Sequence, residues 1–195
     1  VVLWTNDLNE NGVIYGGRTS RIDKTNLQGA LNPGEFVYAY GTMGRGGRNI
    51  YSLDVTEVSN PKMRWFIKGG VTNGFTRLGQ TWSAPVLTTI NVGGTETKVL
   101  LMAGGYDANQ DEVKRRTADS MGNAIYMINA ETGTLIWSAS SASGHTLQLN
   151  KMLYSIPSSI RVIDIDRDGK ADQFFVGDMG GQVWRFFINN GNAAS

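Results

Sequence analysis

Three segments of this chain repeat one pattern, and that repeat limits the fold more than any other feature. Gly47-Arg-Asn-Ile-Tyr-Ser-Leu-Asp54, Gly122-Asn-Ala-Ile-Tyr-Met-Ile-Asn129 and Gly181-Gln-Val-Trp-Arg-Phe-Phe-Ile188 each run from glycine through a small or polar step into alternating aromatic and aliphatic residues. Alternation of this kind predicts strands. The first two continue alike, through Asp54-Val-Thr-Glu-Val-Ser-Asn-Pro-Lys-Met-Arg-Trp65 and Asn129-Ala-Glu-Thr-Gly-Thr-Leu-Ile-Trp137. Each therefore predicts a hairpin that closes on a tryptophan. A strand pair precedes the later copies: Ala84-Pro-Val-Leu-Thr-Thr-Ile90 with Lys98-Val-Leu-Leu-Met-Ala-Gly104 aligns with Pro157-Ser-Ser-Ile-Arg-Val-Ile163 and Gln173-Phe-Phe-Val-Gly177.

Pro85 and Pro157 lie 72 residues apart, and setting aside the polar excursion 106–121 shortens the unit to 56. Four strands in about 40–55 residues is the size of a propeller blade. The expectation is an all-β chain, a β-propeller with quinoprotein-like blades present as a partial set of about three. The blades are expected at 1–70, 82–140 and 155–188, within a single fragment spanning 1–195, and the first is read as partial. Twenty-five glycines against four prolines suit many tight turns. Residues 6–34 and 66–80 read as glycine- and asparagine-rich loops, and 189–195 as a tail. Trp4, Trp65, Trp82, Trp137 and Trp184 are expected to pack between blades, because large rings fill the wedge between twisted sheets.

Composition removes several classes of function. Eighteen Lys+Arg against 17 Asp+Glu leave a net charge of +1 with no basic face, which argues against nucleic acid as a partner. No apolar run approaches the length of a membrane span, so none is expected. With no cysteine there is neither a disulfide framework nor a thiolate metal site. His145 stands alone in Ser141-Ala-Ser-Gly-His145, too little for triad chemistry. Gly44-Arg-Gly-Gly-Arg48 lacks the Lys-Ser/Thr and the following helix of a phosphate loop, and reads as a turn. Val1-Val-Leu-Trp-Thr5 has no leader-like plan and the chain does not begin with Met, so it reads as a piece of something larger.

One stretch carries chemistry. Asp164-Ile-Asp166-Arg-Asp168-Gly-Lys170-Ala-Asp172 sets carboxylates at positions 1, 3, 5 and 9, a glycine for the bend at 6, and the main-chain carbonyl of Lys170 at 7. Hard divalent cations need several converging oxygens at such spacing, and calcium suits it better than magnesium, which keeps more of its waters. Phe175 occupies position 12 where a helical EF-hand needs glutamate, and the flanks alternate as strands do, so the loop is expected on a hairpin with Asp172 replacing that glutamate. Asp107, Asn109 and Asp111 form a weaker second candidate, with Glu112 where the bend wants glycine.

Taken in order, Gly44-Arg-Gly-Gly-Arg-Asn-Ile-Tyr-Ser-Leu-Asp-Val55, Ser59-Asn-Pro-Lys62, Leu78-Gly-Gln-Thr-Trp-Ser-Ala-Pro85, Ile156-Pro-Ser-Ser-Ile160 and Val176-Gly-Asp-Met-Gly-Gly-Gln-Val-Trp-Arg-Phe186 resemble the C-terminal propeller of the PilY/PilC family of type IV pilus biogenesis factors and tip adhesins. The resemblance covers most of 36–188. It implies a large secreted Gram-negative protein at the pilus tip and outer membrane, with an adhesive N-terminal region that meets host or abiotic surfaces. Its implied partners are pilins, minor pilins and the assembly machinery, and no reaction is catalysed. It further implies a Ca2+ ion held by Asp164, Asp166, Asp168, Asp172 and the Lys170 carbonyl, governing pilus extension against retraction, twitching motility and adhesion. Phe187 departs from the family, where aspartate commonly follows Trp-Arg-Phe. Two other readings fit the blades: a quinoprotein dehydrogenase, which needs an axial cluster of cations and carboxylates that this sequence does not assemble, and an integrin-like calcium-dependent ectodomain.

Overall fold

The computed structural model describes residues 1–8, 10, 14 and 34–190. Most of the loop expected over 6–34, and the tail 191–195, lie outside the described residues. Among those described there are twelve strands and no α-helix. Strands β1 (Val2–Asn6), β2 (Phe36–Thr42), β3 (Asn49–Asp54) and β4 (Lys62–Lys68) form one antiparallel sheet in that order. The second sheet runs β5 (Val86–Val92), β6 (Thr95–Ala103), β7 (Ala124–Asn129), β8 (Leu135–Ser140) and the short parallel β9 (Leu147–Gln148). The third comprises β10 (Arg161–Ile163), β11 (Gln173–Gly177) and β12 (Val183–Phe187).

The repeat reappears in the register. Ser52 opposes Trp65 and Met127 opposes Trp137, and these are the same position of the repeated octapeptide. One step on, both hairpins carry a bulge that leaves the residue before the tryptophan, Arg64 or Ile136, without an opposite partner. Such a bulge adds local twist to β4 and β8.

Side-chain parity explains why the middle strands are apolar without interruption. Val99, Leu101, Ala103, Ile125 and Met127 pack toward the third sheet's Phe174 and Val176. The alternate residues Leu100, Met102, Ala124, Tyr126 and Ile128 pack toward Tyr40, Ile50 and Ile67 of the first. A strand covered on both faces loses the polar half of its alternation. Each fully buried Leu, Ile or Met here contributes about 1.5–3 kcal/mol. The outermost β12 keeps the alternation, with Val183 and Phe187 exposed and Trp184 and Phe186 half-buried.

Three expectations change. Val2–Asn6 pairs with Phe36–Thr42 along five residue pairs, so the first sheet is a full four strands rather than a partial set. β4 runs to Lys68, and the segment after it sends Phe75 and Leu78 into the core instead of forming only a surface loop. Trp4, Trp65, Trp137 and Trp184 pack against the two cores, but Trp82 is 49% exposed, where its Nε1 donates to Gln80 and its edge meets Tyr106.

Trp65 shows how neighbouring sheets lock. Its Nε1 donates to the Ala130 carbonyl at 3.2 Å, an acceptor shared with the Tyr40 hydroxyl at 2.9 Å. Gly133, at φ 76°, lies under the same indole, and a Cβ there would stand 2.7 Å from the ring. Burial pushes the Tyr40 phenol up to about 12.

Candidate metal centre

The hairpin between β10 and β11 closes at its neck by the Ile163–Gln173 pair and by Asp172 N donating to Ile163 O at 2.9 Å. Nine residues must then turn in a small space, and two take left-handed backbone, Arg167 at φ 65° and Gly169 at φ 85°. Glycine adopts that region freely; arginine does so at a cost, which the loop's hydrogen bonds offset. Those bonds run from main-chain N–H groups to aspartate oxygens: Arg167 N and Gly169 N to Asp164 at 2.7 and 2.9 Å, Asp168 N to Asp166 at 3.2 Å, and Ile165 N to Asp172 at 2.6 Å.

The outcome is a convergence. One carboxylate oxygen each from Asp164, Asp166 and Asp172 lies within 4.8 Å of the others, with Asp164 and Asp172 half-buried and Asp166 exposed. Two oxygens bound to one calcium ion can be at most about 5 Å apart, so these three fit a single ion. Asp168 is not in this group. Its oxygens accept from Lys170 N at 2.8 Å and Lys170 Nζ at 3.0 Å, and Lys170 Nζ also reaches Glu96 Oε1 at 3.1 Å. The Lys170 ammonium holds the Asp168 carboxyl below the usual carboxylate range, while Asp168 and then Glu96 raise the lysine.

The second candidate is built differently. Asp107 is fully buried, caps the short 3-10 turn Ala108–Gln110, and accepts from Asn109 N, Ser120 N, Ser120 Oγ and Met121 N at 2.7–3.2 Å. Burial alone would raise its pKa, but these donors together bring it below the ordinary value. Asp111 accepts from the Tyr106 hydroxyl at 2.7 Å and pairs with Arg45 at 3.4 Å, and the Asn109 amide donates to Ser120. The excursion thus uses its carboxylates to hold its own fold.

Two further aspartates escaped the sequence reading. Asp119, buried at the excursion's end, binds Arg116 at 3.0 Å and accepts from Ser155 N, tying the excursion to the segment that leads into the third sheet. Asp178 organises the β11–β12 turn: Gly180 N, Gln182 N, Gln182 Nε2 and Trp184 Nε1 all donate to it at 2.8–2.9 Å. The signal for Asp178 was its place in Gly-Asp-x-Gly-Gly-x-x-Trp, four donors' worth of turn. His145 lies 3.0 Å from Ser138 Oγ, and burial, with Arg77 second, keeps the imidazole pKa low. Ser138 is only 1% exposed and His145 is half-buried. Gly44–Gly46 is a 3-10 turn leading into β3.

Stacked antiparallel sheets with repeated bulge and tryptophan positions define a β-propeller fold, here with an aspartate hairpin on an outer sheet. The sequence profile of the PilY1 beta-propeller domain matches residues 19–195, and the chain belongs to that family. It is 28% identical over 146 residues to the type IV pilus biogenesis factor PilY1 of Pseudomonas aeruginosa strain UCBPP-PA14, covering 75% of this chain and 11% of that protein. To the PilY1 homolog of Xylella fastidiosa it is 26% identical over 152 residues, covering 77% of this chain and 10% of the relative. The crystal structure of the Pseudomonas aeruginosa PilY1 C-terminal domain superposes with a TM-score of 0.54 at 25% identity, over 78% of this chain and 27% of that one. The chain therefore spans about a tenth of the length of these curated relatives.

Proposed function

We infer that this chain is a non-enzymatic, calcium-binding propeller segment of a type IV pilus biogenesis factor acting at the cell surface. The observation that supports it is the convergence of Asp164, Asp166 and Asp172 oxygens within 4.8 Å at the tip of a hairpin anchored in the sheet. Calcium, when bound, supplies the positive charge that these carboxylates lack. The chain's own residues do the rest: main-chain N–H groups aim the carboxylates, Arg167 and Gly169 wind the loop, and the Ile163–Asp172 neck ties its order to β10 and β11. An ordered hairpin presents one shape to a pilin or an assembly partner, and a loop relieved of its cation presents another. Occupancy would in this way bias pilus extension against retraction, and with it twitching motility and adhesion. Outside the cell, where calcium is plentiful, even a weak site fills.

The test belongs in the intact pilus protein. Asp164→Asn/Asp172→Asn, produced at normal levels, should remove the calcium dependence of twitching and of surface pili. Motility that keeps its calcium response in this variant would overturn the regulatory reading.

A further inference from the structure

Asp168 is the one aspartate of the hairpin outside the converging group. Its Oδ2 holds Lys170 Nζ at 3.0 Å, and the same ammonium reaches Glu96 of β6, across the seam on the second sheet, at 3.1 Å. The lysine side chain is 20% exposed, against 42% for Asp168 and 69% for Glu96. Main-chain and amide bonds fix the seam on either side: Ala171 N donates to Thr89 O at 2.9 Å, Asn91 N to Asn190 Oδ1 at 2.9 Å, and Asn190 Nδ2 to Ala171 O at 2.8 Å. The lysine backbone is thus held while its ammonium sits between two acceptors.

We propose that Lys170 is a tethered counter-ion which a cation entering the 164–172 hairpin displaces from Asp168, and that Glu96 of the adjoining sheet receives it. The proposal rests on the calcium reading of the hairpin and assigns its regulation. A divalent ion at the converging carboxylates attracts Asp168 and repels the ammonium, and both effects weaken the Asp168–Lys170 contact. Glu96 is already within bonding distance, so the lysine leaves one carboxylate without becoming unpaired. Cation uptake is then an exchange of partners rather than a simple addition. Affinity depends on Glu96, which touches no metal, and occupancy draws the third sheet's loop toward the second sheet's β5–β6 hairpin.

Calcium titration by calorimetry on the full chain at fixed ionic strength tests this with the wild type, E96Q, K170M and E96Q/K170M. Methionine keeps the main-chain carbonyl of residue 170 and its apolar stem. E96Q should weaken binding about two- to fivefold, the scale of an exposed ion pair, and K170M should tighten it by a similar factor. In the K170M background E96Q should change the affinity by less than about 1.5-fold, because the coupling between the two positions has gone. An E96Q effect of equal size in both backgrounds would mean that Glu96 acts only through its own charge, and would overturn the exchange while leaving the calcium reading intact. Weaker binding by K170M would overturn it too. If neither wild type nor K170M binds calcium, the metal reading itself falls, and the exchange with it.

Discussion

The excursion at 106–121 and the hairpin at 164–172 both crowd carboxylates into a short polar stretch, yet their surroundings differ. Asp107 is fully buried among four hydrogen bonds from its own loop, and Asp111 is held by Tyr106 and Arg45. In the hairpin Asp164, Asp166 and Asp172 also accept main-chain N–H groups, but one oxygen of each lies within 4.8 Å of the others, and among the described residues none of the three forms an ion pair. An aspartate saturated by protein donors is a structural anion. Aspartates whose oxygens converge lower their mutual repulsion only when a cation joins them.

This contrast can be broken most strongly at Asp107. Asp107→Ala removes the buried acceptor of four part-buried hydrogen bonds and should cost about 3 kcal/mol in urea unfolding with or without calcium; a loss under about 1 kcal/mol would show that the excursion does not depend on it. The pH dependence has a definite sign. Asp107 is held below its ordinary pKa in the folded chain, so its contribution is present above the unfolded carboxylate value, near pH 4, and is lost as pH falls through the lower folded value. Stability of the wild type should fall more steeply below about pH 4 than that of Asp107→Ala.

Next in size is the metal itself. Calcium at about a hundredfold over its Kd should stabilise the wild type by about 2.7 kcal/mol, read as a shift in Tm, and Asp166→Asn/Asp172→Asn should erase that shift while Asp111→Asn leaves it whole. A shift retained in the first variant, or lost in the second, would reverse the roles of the two loops. A smaller effect belongs to Asp178, whose removal leaves the Trp184 indole and two turn N–H groups without an acceptor; Asp178→Ala should cost about 1–2 kcal/mol by denaturation, independent of calcium. The smallest effect is the most diagnostic. In chelator, Asp166→Asn should leave stability unchanged or raise it by about 0.5 kcal/mol, because it relieves like-charge repulsion at an exposed position; a clear loss would mean that Asp166 is a structural residue like Asp107.

The strands inside the repeat were legible because alternation and closing tryptophan fall within one short local pattern, whereas the bulge at Arg64 and Ile136, each directly before the indole, showed only in the register. The continuous apolar runs at 99–103 and 124–128 were legible as strands, although only stacking shows that each serves two cores. Val2–Asn6 was illegible as the first sheet's edge because its partner lies some thirty residues away and no repeat marks it. The aspartate spacing revealed which residues share a hairpin but not which oxygens meet. Asp168 has the spacing of a ligand, yet Lys170 two positions on competes for it, and that competition depends on where the aliphatic stem lies and on Glu96 from another sheet. Asp107 looked like a ligand for the converse reason: its donors at Ser120 and Met121 come from the far end of the excursion.

The account stands most directly on calorimetric titration of calcium into the full chain beside Asp164→Asn/Asp172→Asn. It predicts one saturable site in the wild type that the double variant lacks, with both proteins folded in chelator. Absence of heat in the wild type, or equal binding by the variant, would contradict it and leave the 164–172 hairpin an acidic turn on a propeller sheet.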